Sequence, residues 1–239
     1  MNIIKVKNYQ EMTDELTDIF VSQIHKKPDS ILSFTTGATP KGLLEALAKR
    51  IQEGLDVTDC VFCNLDEYVC SKSMDCSVYH FMNYHLYDRI DKKPKEILMF
   101  DAEADDQEKE LTRYKALMDQ YPRDIQLLGL GANGHIGANE PGTPFESAMF
   151  VADSEESTIA ATRKLFDMSD EEVPTQMYTM GFKEIMEAHC VVLAASGTSK
   201  AQAVKMLVEG PVTPSVPASR LKQHSNFILI IDEEAASLL

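Results

Sequence analysis

The 239-residue sequence is short of basic residues, with 23 Lys and Arg against 38 Asp and Glu and a formal net charge of −15. This shortage disfavours nucleic acid and anionic membranes as partners, because phosphate-rich surfaces are bound by basic ones. A small anionic ligand needs only a local pocket of donors and is not excluded. No stretch approaches about 18 consecutive apolar residues, so we expect no membrane-spanning helix. Segment 1–12 lacks the apolar core and cleavage site of a signal peptide.

The cysteines do not form a recognisable metal or disulfide framework. An odd number without an export signal predicts reduced thiols and a cytoplasmic protein. Cys60 and Cys63 have CxxC spacing, but residues three apart on a strand point to opposite faces, and no second CxxC follows. We therefore expect no metal and no cofactor. The five cysteines are Cys60, Cys63, Cys70, Cys76 and Cys190.

Short apolar stretches alternate with amphipathic ones along most of the chain. This alternation predicts one α/β domain over 1–239, with a mostly parallel sheet covered on both faces by helices. Helices are expected from Pro40, over Ser77–Ile90 and, briefly, up to Leu239, whereas the polar segment 150–188 predicts loops and short helices. The expected strands are Asn2–Val6, Ser30–Phe34, Cys60–Leu65, Glu96–Phe100, Ile125–Leu130, Cys190–Ala195 and Asn226–Ile231.

The second predicted strand ends in Thr35-Thr36-Gly37-Ala38-Thr39-Pro40, at the start of a helix. Backbone N–H groups, hydroxyls and a helix N-terminus together predict a phosphate site that needs no formal positive charge. The segment lacks the GxxxxGK[ST] pattern, so nucleotide binding does not follow. The alternative is a plain helix N-cap formed by Thr39.

The third strand ends in Asn64-Leu65-Asp66-Glu67-Tyr68-Val69. Two carboxylates at the end of a buried strand are costly unless they are exposed or used. One of them is therefore a candidate general base with a raised pKa. The alternative is a pair of solvated turn residues.

A glycine-rich loop, GLGANGHIGANEPGTPF over 129–145, follows the fifth strand. His135 in this loop exchanges protons near neutral pH, and Glu140 is placed to orient it. The alternative is a structural or merely exposed histidine. Arg163 and Lys200 lie near later strand ends and are candidate phosphate partners, although each alone is typical of a surface cation.

Together these motifs resemble the glucosamine-6-phosphate deaminase/isomerase family, in its shorter, non-allosteric type. The NLDEYV and GHIGANEPG blocks are specific, whereas TTGATP and the Ser-Lys block are shared with a sister family, the 6-phosphogluconolactonases. The resemblance implies a Rossmann-like three-layer α/β/α fold. The segments that carry it are 35–40, 64–69, 77–82, 129–145, Arg163 and 196–204.

The resemblance also implies a reaction: glucosamine 6-phosphate and water give fructose 6-phosphate and ammonia, without metal or cofactor. Asp66 is the implied base between C2 and C1, and His135 assists ring opening under the control of Glu140 and Asn133. Glu67 is implied as support and Tyr79 as part of a lid. The implied phosphate ligands are Thr36, Gly37, Ala38, Thr39, Arg163 and Lys200.

The sequence departs from the family in three places. Asn133 stands where many members have aspartate, which removes a negative charge beside His135 and predicts an altered pH optimum rather than lost activity. Val78 stands where members commonly have tyrosine, with Tyr79 next in line, so galactosamine 6-phosphate or another amino-sugar phosphate stays open as substrate. The chain stops at Leu239, which predicts hyperbolic kinetics without an activator and a monomer or small homo-oligomer.

Two other functions remain as alternatives. A 6-phosphogluconolactonase is expected to have arginine after the Asp-Glu pair and a Ser-Leu-Phe-Pro-Gly type run after the histidine, where this chain has Tyr68 and Asn139-Glu140-Pro141-Gly142. A non-catalytic phosphosugar-sensing module often loses its base or histidine and carries a DNA-binding segment. Here Asp66, His135 and Glu140 are present and no such segment is visible.

Overall fold

The computed structural model describes residues 1–169 and 172–239, except for the side chains at positions 157, 158, 161 and 165. A seven-stranded sheet runs through its centre in the order β1-β10-β9-β6-β2-β3-β5, and all neighbouring strands are parallel. The mostly parallel sheet is therefore confirmed. Its strands are β1 Asn2–Val6, β2 Ile31–Phe34, β3 Val61–Asn64, β5 Glu96–Leu98, β6 Ile125–Gly129, β9 Cys190–Ala195 and β10 Phe227–Asp232.

Helices cover both faces of this sheet, because each parallel connection must cross back over one face. Helices α1, α2 and α3 bury apolar side chains such as Phe20, Leu43 and Phe81 in one core. Helices α4, α6 and α7 bury Tyr114 and Leu207, among others, in a second core on the other face. The three-layer α/β/α architecture is confirmed. The helices are α1 Tyr9–Lys26, α2 Ala38–Gln52, α3 Val78–His85, α4 Gln107–Gln120, α6 Phe182–Met186 and α7 Ala201–Glu209.

The CxxC pair is divided between these two cores. Cys60, just before β3, packs in the core of α1 to α3, while Cys63 packs in the core of α4, α6 and α7. Their thiols donate to different carbonyls, those of Pro28 and Leu32. The prediction that these cysteines face opposite ways is confirmed.

A second, smaller sheet lies where the sequence predicted loops and short helices. Strands β4 (Asp66–Tyr68), β8 (Gln176–Thr179) and β7 (Phe150–Asp153) pair antiparallel in that order. A helix α5, Glu156–Phe166, connects β7 towards β8. The prediction of loops and short helices over 150–188 was therefore wrong for its two strands. Each is only four residues long and lacks alternation, so the pairing of β8 with β4 and of β7 with β8, rather than local pattern, makes them strands.

Two predicted helix boundaries are wrong. Helix α2 begins at Ala38 rather than Pro40, because Gly37, with φ 117°, turns the chain into the helix without a side-chain cap. This also rules out Thr39 as the N-cap. Helix α3 ends at His85, short of Ile90, and a 3₁₀ turn follows over Tyr87–Arg89.

The chain after β10 forms turns instead of the predicted short helix. Asp232, the last residue of β10, accepts the backbone N–H of Ala235, which holds the first turn. In the described part of the chain, no helix is long and apolar enough to cross a membrane.

Candidate active site

The carboxyl ends of four neighbouring strands, β9, β6, β2 and β3, open onto one edge of the large sheet. From β2 the chain moves outward to β3 and β5, then returns to β6 on the other side of β2. Such a reversal of strand order leaves a crevice at the carboxyl edge, where α/β proteins bind ligands. Every polar segment singled out from the sequence except Arg163 and Tyr79 follows one of these four strand ends.

Three side chains of the loop after β6 are joined. Nδ1 of His135 lies 3.0 Å from Oε1 of Glu140. The side-chain amide of Asn133 donates to Oε2 of Glu140 at 2.7 Å, and its Oδ1 accepts the backbone N–H of His135 at 3.1 Å. One oxygen of the Glu140 carboxylate thus faces the imidazole of His135 and the other accepts from Asn133.

Gly131 makes room for that imidazole. A Cβ at this position would lie 2.4 Å from both Cδ2 and Nε2 of His135, well inside van der Waals contact. The backbone then closes the turn, since the Gly131 N–H donates to the carbonyl of His135 at 2.9 Å. The sequence showed a glycine-rich loop, but it did not show which glycine leaves space for the His135 ring.

The small sheet connects the histidine loop to Asp66. Asp66 pairs with Thr179 across β4 and β8. The Thr179 hydroxyl accepts the N–H of Ala138 at 3.2 Å, and the amide of Asn139 donates to the carbonyl of Met180 at 2.9 Å. These contacts place His135 close enough to Asp66 to oppose, by its charge, the rise in the pKa of Asp66. Thr179 and Asn139 were missed by sequence reasoning because their partners are distant in the chain.

Asp66 is a buried carboxyl without full hydrogen bonding. It is 6% exposed, and its Oδ1 has no hydrogen-bond partner among the described residues. Burial raises the pKa of Asp66 to about 7, against the opposing effect of His135. A buried, unpaired carboxyl oxygen is destabilising and is typical of functional positions. The alternative of a solvated turn is wrong for Asp66 and also for Glu67, which is fully buried.

Glu67 has the opposite environment, because both of its oxygens accept backbone N–H groups. Oε1 accepts from Tyr68 at 2.9 Å and Val78 at 2.7 Å, and Oε2 accepts from Tyr79 at 2.8 Å. Burial raises the pKa of Glu67 to about 8, although these three donors act against the rise. Glu67 therefore links β4 to the first turn of α3 through hydrogen bonds.

The two residues at the start of α3 point in different directions. Val78 is fully buried in the core of α1 to α3, so its place in this chain is a packing position. Tyr79 is 42% exposed, and its ring centroid lies 5.9 Å from Nζ of Lys72. The part of Tyr79 in a lid stays a prediction.

The turn between β2 and α2 has the geometry of an anion site. The first N–H groups of a helix have no acceptor within the helix, and here they follow Gly37 at the open edge of the sheet. Tyr9 holds the turn from behind, because its hydroxyl donates to the carbonyl of Ala38 and accepts the N–H of Gly42, both at 2.9 Å. Thr36 and Thr39 are half-buried beside it.

The two predicted cations, Lys200 and Arg163, lie on different secondary-structure elements. Lys200 ends the 3₁₀ turn Thr198–Lys200 after β9, and partial burial lowers its pKa. That turn is anchored by the Gly197 N–H, which donates to Asp232 at 3.1 Å. Arg163 lies in α5, whose Thr162 hydroxyl is 2.8 Å from the hydroxyl of Tyr68, which lies on β4 with Asp66. Among the described residues, no group of three His, Cys, Asp or Glu side chains is arranged to hold a metal ion.

Sequence comparison shows which known proteins this chain is similar to. The model of the family described as glucosamine-6-phosphate isomerases/6-phosphogluconolactonase matches residues 5–229. The chain is 41% identical over 241 residues to glucosamine-6-phosphate deaminase 1 of Bacillus subtilis (strain 168), covering 100% of this chain and 99% of that protein. It is 40% identical over 239 residues to the glucosamine-6-phosphate deaminase of Bacillus velezensis, covering 99% of each.

Structural comparison agrees with this placement. A solved monomeric glucosamine-6-phosphate deaminase superimposes with a TM-score of 0.95 at 39% identity, covering 100% of both chains. The 6-phosphogluconolactonase of Thermotoga maritima has a TM-score of 0.76 at 17% identity, covering 97% of this chain and 99% of that one. The second similarity shows a shared fold alone.

Proposed function

The chain belongs to the glucosamine-6-phosphate isomerase/6-phosphogluconolactonase family, and we propose that it converts glucosamine 6-phosphate and water to fructose 6-phosphate and ammonia. Relatives named for this deaminase cover its full length at about 40% identity. The observation that carries the proposal is the unpaired, buried oxygen of Asp66 beside the His135–Glu140 pair. An aldose–ketose shift needs this combination of a base and a separate acid.

Asp66 is the proposed base. Moving a proton from C2 to C1 of the open-chain sugar requires one carboxylate that reaches both carbons. A pKa of about 7 leaves Asp66 ready to accept a proton near neutral pH and basic enough to remove it from carbon. The Oδ1 atom of Asp66 accepts no hydrogen bond from the described residues, so it is open to the proton of the substrate. Glu67 supports the base by holding β4 against α3, and Tyr79 contributes to the lid.

His135 is the proposed acid/base for ring opening. With Nδ1 facing Glu140, Nε2 is the nitrogen that exchanges a proton between the ring oxygen and the C1 hydroxyl. Glu140 stabilises the charged imidazole as it forms, and Asn133 keeps that carboxylate in place. Water then adds at C2 of the rearranged imine, and ammonia leaves.

The phosphate is proposed to bind at the far side of the crevice. The N–H groups after Gly37 and the neighbouring hydroxyls donate to its oxygens, and two cations supply the charge. Lys200 is suited to this because its partly buried ammonium gains most from an anionic partner. The proposed ligands are Thr36, Gly37, Ala38, Thr39, Arg163 and Lys200.

We propose that the substrate is a small phosphosugar and that the chain forms one domain over 1–239. The proposed function involves no metal, cofactor, nucleic acid or membrane. A monomer or small homo-oligomer is proposed, supported by the monomeric deaminase that it resembles. We also propose a cytoplasmic location, which the five free cysteines support.

Ammonia release tests the function directly. The purified chain is incubated separately with glucosamine 6-phosphate, galactosamine 6-phosphate and N-acetylglucosamine 6-phosphate, whose blocked amine is the control. We expect ammonia and fructose 6-phosphate from the first substrate and none from the third. Faster release from galactosamine 6-phosphate would move the specificity to that sugar. No ammonia from either amine, together with hydrolysis of 6-phosphogluconolactone, would replace the deaminase with the lactonase.

A further inference from the structure

Asp232, the last residue of β10, is a buried carboxylate that accepts hydrogen bonds from three other residues. It is 4% exposed. Oδ2 of Asp232 accepts the hydroxyl of Ser196 at 2.5 Å, and the Gly197 nitrogen lies 3.1 Å from each carboxylate oxygen, to which its N–H donates. Oδ1 also accepts the N–H of Ala235 at 2.8 Å. Asp232 takes no part in the proposed proton transfers, so these contacts point to another role.

Two of these contacts fix the beginning of the segment 196–200, which we call the lysine turn because Lys200 ends it. Strands β9 and β10 are parallel neighbours, so Ser196, which follows β9, lies at the same edge of the sheet as Asp232. Gly197 has φ 90°, a left-handed conformation that favours glycine, and its carbonyl accepts the Lys200 N–H at 3.0 Å. Holding Ser196 and Gly197 therefore fixes the backbone from which the Lys200 side chain extends.

The position of this backbone matters because lysine carries a point charge on a long, flexible side chain. Lys200 is half-buried, and burial lowers the pKa of its ammonium group, so an anionic partner stabilises it more than it would a fully solvated charge. The contacts of Asp232 with the lysine turn are made to a hydroxyl and to a backbone N–H. Asp232 therefore acts on Lys200 through the backbone of the turn.

We propose that Asp232 is a positioning residue that holds the lysine turn so that Lys200 meets the phosphate group of the substrate. The role rests on the proposed phosphate site. Asp232 places a negative charge at the edge where an anion is proposed to bind, so by charge alone its removal would strengthen phosphate binding. Because Asp232 positions Lys200, its removal weakens that binding instead.

The variant Asp232→Asn tests this direction. It keeps the size of the side chain but replaces one accepting oxygen with an NH₂ donor, which then faces groups that donate to Asp232 in the wild type. Isothermal titration calorimetry with inorganic phosphate measures binding, and steady-state kinetics with glucosamine 6-phosphate measures KM and kcat. We expect phosphate to bind roughly 3–10-fold more weakly and KM to rise by a similar factor, as for one lost hydrogen bond, with kcat little changed.

Glu233→Gln is the matched control, because it removes the same charge from the next residue, which is exposed. We expect its phosphate affinity and its KM to equal those of the wild type. Unchanged or tighter phosphate binding by Asp232→Asn overturns the proposal. An equal loss of phosphate affinity in both variants also overturns it, because the loss would then come from the charge and not from the turn.

A double-mutant cycle shows whether Asp232 acts through Lys200. Coupled residues have non-additive effects, so Asp232→Asn combined with Lys200→Met should bind phosphate as weakly as Lys200→Met alone. If adding Asp232→Asn to Lys200→Met weakens binding by the same factor as in the wild type, the two residues act independently and the proposal is overturned.

Ser196→Ala keeps Asp232 and removes one of its donors. Urea unfolding first shows whether each variant is folded, and Ser196→Ala decides the question if Asp232→Asn is not. We expect Ser196→Ala to weaken phosphate binding by roughly 2–5-fold, and in that case an unchanged affinity overturns the proposal.

These titrations give results that do not depend on the proposed reaction, because phosphate binding requires no turnover. Wild-type protein that binds phosphate through Asp232 and Lys200 yet releases no ammonia retains the positioning role without the deaminase activity. Wild-type protein that releases ammonia but binds no phosphate retains the deaminase activity and overturns the positioning role.

Discussion

The large and small sheets divide the proposed site between them. The seven-stranded parallel sheet is covered on both faces by extensive apolar cores, and the loops at its carboxyl edge carry His135 and Lys200. The three-stranded antiparallel sheet has a small cluster of three buried apolar residues and carries Asp66. The proposed acid and the proposed base therefore lie on separate sheets, and we propose that catalysis depends on the contacts at Thr179 that join them.

Replacing Asp66, the proposed base on the small sheet, should lower activity more than any other change. Asp66→Asn keeps the shape of the side chain but cannot accept a proton, so we expect kcat to fall by about 10²–10⁴-fold. In the wild type, kcat/KM should rise with pH through about 7 as Asp66 ionises. Asp153→Asn, on exposed β7 of the same sheet, is the control. Equal activity of the two variants would remove Asp66 from the mechanism.

Displacing His135, the proposed acid at the edge of the large sheet, should have the second-largest effect on activity. Gly131→Ala places a methyl group 2.4 Å from the imidazole of His135, so the ring must shift. A misplacement of about 1 Å in a catalytic group costs on the order of 10²-fold in rate. Gly129→Ala, two residues earlier, meets nothing within 4 Å and should leave steady-state kinetics unchanged. Similar rates for both variants would show that the ring is not held as described.

A cation at the edge of the large sheet should affect binding rather than chemistry. Lys200→Met removes one charged hydrogen bond to phosphate, worth about 1.5–3 kcal/mol, so KM should rise roughly 10–100-fold with little change in kcat. Lys205→Met, further along α7 and paired with Glu209, is the control. A fall in kcat at unchanged KM would move Lys200 away from the phosphate.

Asn133→Asp adds a negative charge beside His135, the proposed acid, and Glu140, the carboxylate that faces it. The amide donor to Glu140 is lost and two carboxylates then face each other, so the effect exceeds that of a distant charge. We expect the pH optimum to move upward by about one unit, with activity retained. Asn2→Asp, exposed on β1, adds the same charge far away as a control. An unmoved pH–rate profile would contradict the assigned role.

The smallest expected effect is on stability. The folded pKa of Asp66, about 7, lies above its unfolded value, so the associated stability is present at low pH and is lost as pH rises through 7. Asp66→Asn should match the wild type in urea unfolding only near pH 4, because the wild type begins to lose this stability above the unfolded aspartate pKa of about 3.9. At pH 9 it should be more stable, by on the order of 1–3 kcal/mol. A variant less stable at both pH values would show that Asp66 is stabilising when ionised.

The two sheets also differ in how far the sequence predicted them. Strands of the large sheet are buried on both faces and therefore form apolar runs that are visible locally, as in Ile125–Gly129. Strands β7 and β8 contain only four residues each, and the pairing of β8 with β4 and of β7 with β8 defines them. The site follows the same division. Asp66, His135 and Glu140 were visible as polar residues at strand ends, whereas Tyr9, Thr179 and Asn139 act through distant partners.

The sequence by itself determined the strands of the large sheet, the polar segments at the carboxyl edge and the family, because these depend on local pattern and on motifs. Tertiary structure decided what those residues experience. Burial leaves Oδ1 of Asp66 without a hydrogen-bond partner in the described part of the chain, while backbone donors from α3 satisfy Glu67 beside it. It also decided that the CxxC cysteines are separated by the sheet, since only the folded chain fixes which distant atoms touch.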